Sequence, residues 1–95
     1  MVHVMASIEV KPEHAAAVRD QLVELVGKTR AEAGCVSYEL YQRADKPHVF
    51  RTVEAWHTQA DVDAHMKTPH VAAAIASAGP LLAAPLDIVS FTKVG

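Results

Sequence analysis

The 95-residue sequence holds one cysteine, Cys35, so no disulfide can form within the chain. That is the usage of a reduced compartment, and a cytoplasmic setting is expected. Aromatic residues make up only 5% of the chain, although hydrophobic residues make up 51%. The apolar content is mostly Ala and Val. Such side chains pack closely but bury little area each, so a small core and help from a partner subunit are expected. There is no Lys/Arg run. The net charge is -2, which leaves nucleic acid no electrostatic footprint. The apolar runs are short and rich in Ala, well below the ~20 residues that a membrane span needs. The first residues lack a basic segment followed by an apolar one, so no secretory signal is expected. Cys pairs and the His-Glu-x-x-His spacing are missing too, which removes the common zinc motifs.

What is present alternates. Val2, Val4, Ala6, Ile8 and Val10 fall on one face of a first strand, with His3, Met5, Ser7 and Glu9 on the other. Lys11-Pro12-Glu13 stops the strand and starts a helix, with Pro well placed at a first helical position. Val18, Leu22, Leu25, Val26 and Thr29 recur at helical spacing. Gly34 is the expected end of that helix, as a residue that accepts the left-handed conformation. A second strand covers Cys35 to Arg43, with Val36, Tyr38 and Leu40 on one face. Ala44-Asp45-Lys46-Pro47 reads as a hairpin turn. The third strand, His48 to Trp56, carries Phe50, Thr52, Glu54 and Trp56 on one face.

Thr58-Gln59-Ala60-Asp61 has the form of a variant capping box. The helix it starts presents Val62, His65 and Met66 together. Thr68-Pro69 interrupts that helix and restarts it, as a good N-cap followed by a good first residue. Val71, Ala74, Ile75 and Ala78 form the stripe of the restarted helix. Gly79-Pro80 ends it, and a last strand is expected from Leu86 to Val94.

The order is β-α-β-β-α-β, the ferredoxin-like split arrangement within a single domain over residues 1–95. It predicts a four-stranded antiparallel sheet with helices on one face. The other face would bear Met5, Tyr41, Val49, Val53, Val89 and Phe91. An apolar patch of that kind marks an interface, so a homodimer packed sheet to sheet is expected.

Several short motifs, in this order and spacing, carry a family resemblance over nearly the whole length. They are Gly34-Cys35 followed by Tyr38-Glu39-Leu40, Phe50 with Glu54 and Trp56, His65, and Thr68-Pro69-His70. Together they resemble the antibiotic biosynthesis monooxygenase family of small dimeric α+β barrel proteins. The resemblance implies cofactor-free oxygenation of a quinol or polycyclic phenol. The same family includes haem-degrading members and an isomerase. Haem is not expected here, because haem-degrading relatives place an Asn on the first strand where Ala6 and Ile8 stand.

The residues themselves point to a pocket between sheet and helices. Glu54 and Trp56 are two apart on one strand and share a face. His65 and Glu54 are the expected catalytic residues, either of them as the base. Trp56, Tyr38, Phe50 and His70 are expected to contact a small aromatic substrate. Glu54 is open to a second reading, as a structural carboxylate paired with His65 or an Arg. An acid–base isomerase of a carbonyl compound needs the same groups, and a binding module for an aromatic ligand needs only the pocket. His65 and His70 are five residues apart, turned away from each other on a continuous helix. Only a break at Thr68-Pro69 could bring both rings inward; with no Cys pair and no His-Glu-x-x-His spacing beside them, no metal or other cofactor is expected.

Overall fold

The computed structural model describes residues 1–95. Four strands form one antiparallel sheet: β1 (Val2–Glu9), β2 (Cys35–Gln42), β3 (Val49–Trp56) and β4 (Asp87–Phe91). Their order across the sheet is β2-β3-β1-β4. Three helices, α1 (Ala15–Arg30), α2 (Gln59–Met66) and α3 (Pro69–Ala78), pack on one face. This is the expected ferredoxin-like fold, with the second helical segment broken in two. No helix is long and apolar enough to cross a membrane.

Alternation sets the layers. Val4, Ala6 and Ile8 of β1 are buried beneath the helices, opposite Glu54, Thr52 and Phe50 of β3. Val18, Leu22 and Thr29 of α1 are buried against them, as their spacing predicts. Two apolar clusters result. One gathers Ile8, Val10, Val18, Leu22 and Phe50, the other Val4, Tyr38, Trp56 and Val62. On the far face of the sheet, Tyr41, Val89 and Phe91 are exposed, and Met5, Val49 and Val53 are half-buried.

Three local expectations are corrected. Helix α1 ends at Arg30, four residues before Gly34, and no glycine has a positive φ. Gly34 is needed for space instead: a Cβ there would collide with the Asp61 side chain. A β-bulge lies between Cys35 and Ser37, so Cys35 pairs with Trp56 and Val36 becomes the extra residue. Cys35 therefore joins the apolar cluster under the helices, while Val36 turns out to solvent. The last strand is shorter than expected, because β4 pairs only with β1, from Ser7↔Asp87 to His3↔Phe91.

The helix ends follow their local chemistry. Thr58 caps α2: its Oγ1 accepts from the Asp61 N–H, and the Asp61 carboxylate accepts from the Thr58 N–H at 3.1 Å. Thr68 caps α3 and Pro69 opens it. Gly27 lies in the exposed part of α1 with open space where a Cβ would go. Gly27→Ala should therefore raise stability by about 1 kcal/mol, seen as a thermal midpoint higher by roughly 4–8 °C. Gly34→Ala should lower it by about 1–3 kcal/mol as an overpacking change. Circular-dichroism melting of both variants checks the pair, and an unchanged midpoint for Gly34→Ala would contradict the close approach to Asp61.

Candidate functional site

The face of β3 under the helices carries a run of hydrogen bonds. The Thr52 hydroxyl donates to Oε2 of Glu54 at 2.6 Å, and the Trp56 indole N–H donates to Oε1 at 2.9 Å. Thr52 Oγ1 in turn accepts from the Ala6 N–H at 3.1 Å. Residues 52, 54 and 56 meet because alternate strand residues point the same way. Glu54 is buried, and this pairing is what makes its burial tolerable. Its partners are neighbours on its own strand, neither His65 nor an Arg.

His65 has a different carboxylate. Its Nδ1 lies 2.7 Å from Oε2 of Glu32. The same oxygen lies 2.8 Å from Nε2 of His70. Glu32 stands in the turn between α1 and β2, where its N–H donates to the Thr29 carbonyl and its own carbonyl accepts from the Cys35 N–H. The break between α2 and α3 turns both histidines towards it. There the Thr68 hydroxyl donates to the His65 carbonyl at 2.7 Å and accepts from the Val71 N–H.

The tautomer follows from these contacts. An ionised carboxylate only accepts, so each ring must present an N–H to Glu32. His65 then carries its proton on Nδ1, and a neutral ring has its lone pair on Nε2. Nε2 makes no hydrogen bond within the chain. The ring leans on Trp56 at 4.6 Å between centroids and lies 5.9 Å from Tyr38.

Between sheet and helices lies a cavity of about 210 Å³. Of its 18 lining residues 14 are hydrophobic, and the polar ones are Thr52, Glu54, His65 and Ser90. No Lys or Arg lines it. Val4, Ala6 and Ile8 form the floor, and the stripe of α3 forms the roof. Met66, Ile75 and Ile88 line it while partly exposed, so they mark its mouth.

The structure therefore brings Tyr38, Glu54 and His65 together around one cavity. Trp56 and Phe50 do not line it. Both are fully buried behind it, Trp56 against His65 and Phe50 in the cluster under α1. His70 faces an outer groove with Gln21, Glu24 and Lys28 and touches the site only through Glu32. Glu32 is the residue that sequence reasoning missed. A Glu between two Ala in a turn reads as a solvated loop residue. The one available signal was the need of a histidine on an apolar face for a partner.

Burial pushes the Tyr38 phenol pKa well up, and the charges of Glu54, Cys35 and Glu32 push it further the same way. The Cys35 thiol is also raised, by burial first and then by Glu32 and Glu54. Both groups stay protonated near neutrality, and Tyr38 keeps a proton to donate.

The sign of the pH effect follows for Tyr38. The unfolded phenol releases its proton near ~10, while the folded one still holds it. Stability should thus fall as pH rises above about 10. Ultraviolet titration of the chain against Tyr38→Phe checks this, and a Tyr38 phenolate forming before unfolding would contradict it. Glu54→Gln turns an amide NH₂ towards a donor at one of its two partners. It should cost about 1–3 kcal/mol in denaturant unfolding.

Comparison with known proteins agrees with this architecture. Residues 1–77 match the family model described as antibiotic biosynthesis monooxygenase. The chain is 34% identical over 89 residues to "Putative monooxygenase YcnE" of Bacillus subtilis (strain 168), covering 94% of each chain. A crystal structure described as an antibiotic biosynthesis monooxygenase superposes with a TM-score of 0.95 at 29% identity, covering 100% of both chains. The structure of Rv0793 from Mycobacterium tuberculosis gives a TM-score of 0.91 at 31% identity, covering 99% of this chain and 95% of that one. The chain belongs to the antibiotic biosynthesis monooxygenase family.

Proposed function

We propose that this protein is a cofactor-free monooxygenase of small, electron-rich phenols or quinols, with His65 as its base. The observation that carries the reading is His65 itself, a buried residue of the cavity lining whose Nδ1 is taken by Glu32, which leaves Nε2 as the free nitrogen. Nε2 removes the substrate's hydroxyl proton. The resulting imidazolium is stabilised by Glu32, as a carboxylate behind a histidine base does. Tyr38, still protonated, donates to the developing oxyanion. The apolar lining of the cavity strengthens both interactions. The anion then gives electrons to O₂. One oxygen atom enters the substrate and the other leaves as water, with the electrons supplied by the substrate.

His65 is favoured over Glu54 because both oxygens of Glu54 already accept a hydrogen bond, whereas His65 Nε2 is free. Glu54 serves to fix Thr52 in the cavity wall and Trp56 behind it. Size narrows the substrate. An engineered cavity of ~150 Å³ in another protein takes up benzene, so about 210 Å³ suits one ring or a compact pair. The missing Lys and Arg argue against a phosphorylated substrate.

The working unit in this reading is a homodimer joined through the open face of the sheet, where Tyr41, Val89 and Phe91 are 59%, 40% and 45% exposed. The single domain, residues 1–95, supplies one cavity per subunit, and the lone thiol suits a reducing cytoplasm.

Oxygen uptake with a panel of one- and two-ring quinols tests the activity. His65→Ala should lower kcat/KM by about 10²–10⁴-fold, the usual worth of a general base. Glu32→Gln should fall in the same direction. Uptake at the uncatalysed rate with every quinol sinks the oxygenase, and turnover that persists without oxygen favours an isomerase instead. Light scattering should give the mass of a dimer, and Phe91→Glu should shift it towards the monomer.

A further inference from the structure

We propose that Glu32, His65 and His70 form a binding site for a divalent transition-metal ion of the Zn²⁺, Co²⁺ or Ni²⁺ type. Three donor atoms converge there: Oε2 of Glu32, Nδ1 of His65 and Nε2 of His70, all within 4.8 Å of one another. They come from three separate elements, the turn after α1, the last turn of α2 and the first turn of α3. Two imidazoles and one carboxylate are a donor set for borderline transition ions, whereas Mg²⁺ and Ca²⁺ prefer oxygen alone. Zinc sites of two His and one Glu keep a fourth position for water or another ligand.

The cluster is half way to such a site. Each ring nitrogen is at hydrogen-bond distance from Oε2, 2.7 and 2.8 Å. Around a tetrahedral ion with bonds near ~2.1 Å the donors stand roughly 3.4 Å apart, so the carboxylate oxygen must retreat from each ring nitrogen by roughly 0.6–0.7 Å, and the two nitrogens, within 4.8 Å of one another, must settle at the same spacing. The turn that carries Glu32 is half-buried, and its side chain has no partner other than the two rings, which leaves room for that shift. Entry is through the outer groove beside Gln21, Glu24 and Lys28, where His70 is reached without passing the cavity.

The ion would reverse the chemistry of His65. Metal on Nδ1 requires the ring proton to sit on Nε2. The nitrogen beside the cavity then donates a hydrogen bond and can no longer take a proton. Metal occupancy thus switches the base off. This consequence rests on the reading of His65 as the base, but the binding does not.

Calorimetric titration of the metal-free protein with Zn²⁺ separates the two. One ion per chain is expected, with affinity at least tenfold weaker in Glu32→Gln and in His70→Gln. Binding should persist when His3, His14, His48 and His57 are all replaced by Gln. Nitrogen NMR of the wild-type imidazoles should show the ion on Nδ1 of His65 and Nε2 of His70, which guards against a variant that merely misfolds. Binding that vanishes with the four other histidines, that ignores Glu32 and His70, or that leaves these two nitrogens unshifted overturns the site. If the ion binds there, oxygen uptake of the loaded protein should fall at least tenfold. If it binds but no turnover exists without it either, the site stands and the oxygenase reading fails.

Discussion

One carboxylate oxygen, Oε2 of Glu32, holds the helical layer to the start of β2. It meets His65 of α2 and His70 of α3 at once, and its own backbone is tied to Thr29 and Cys35. Without it, His65 would be a titratable ring buried against Trp56 with no partner for its N–H. That is costly in an apolar setting. The break at Thr68-Pro69 exists in the same frame. A continuous helix would carry residues five apart to different sides, and no single oxygen would reach both rings. The capping of α3 by Thr68 therefore serves the site as much as the helix.

Two carboxylates, the buried Glu54 and the half-buried Glu32, differ in their partners. Glu54 is held at both oxygens by groups of its own strand, so it is part of the wall. Glu32 is held by two rings, one of which borders the cavity. In the proposed mechanism its charge acts on the proton that His65 takes up. Environment separates carboxylates of one kind into structural and functional members in this way.

Much of the fold is legible in the sequence, because period-two alternation and helical spacing report directly which face is buried. The strand of Phe50, Thr52, Glu54 and Trp56 is an example, as are both threonine caps. The misplaced details come from tertiary demands. Gly34 signals a helix end by its type, but it is there to let Asp61 approach. Val36 continues an alternation on paper that a bulge interrupts in space. The site divides likewise. His65, Glu54 and Tyr38 meet at the cavity as their faces require. Phe50 and Trp56 share the correct face, yet lie behind the wall, because a face does not distinguish packing depth. Glu32 is invisible in one dimension, since its partners lie 33 and 38 positions away along the chain.

The electrostatics of the cavity restrict what it can process. The carboxylates of Glu54 and Glu32 act on the Tyr38 phenol, and no Lys or Arg lines the space. A substrate that arrives as an anion would lose its hydration and meet like charge. A neutral one loses only apolar surface from water, which is favourable. In the proposed reaction its anion forms at the same moment as the imidazolium of His65, so the new negative charge is paired as it appears. In that reading the proton comes from the substrate itself and stays close by. Under the proposed mechanism that condition would favour neutral, weakly acidic aromatic hydroxyl compounds over carboxylates and phosphates of the same size.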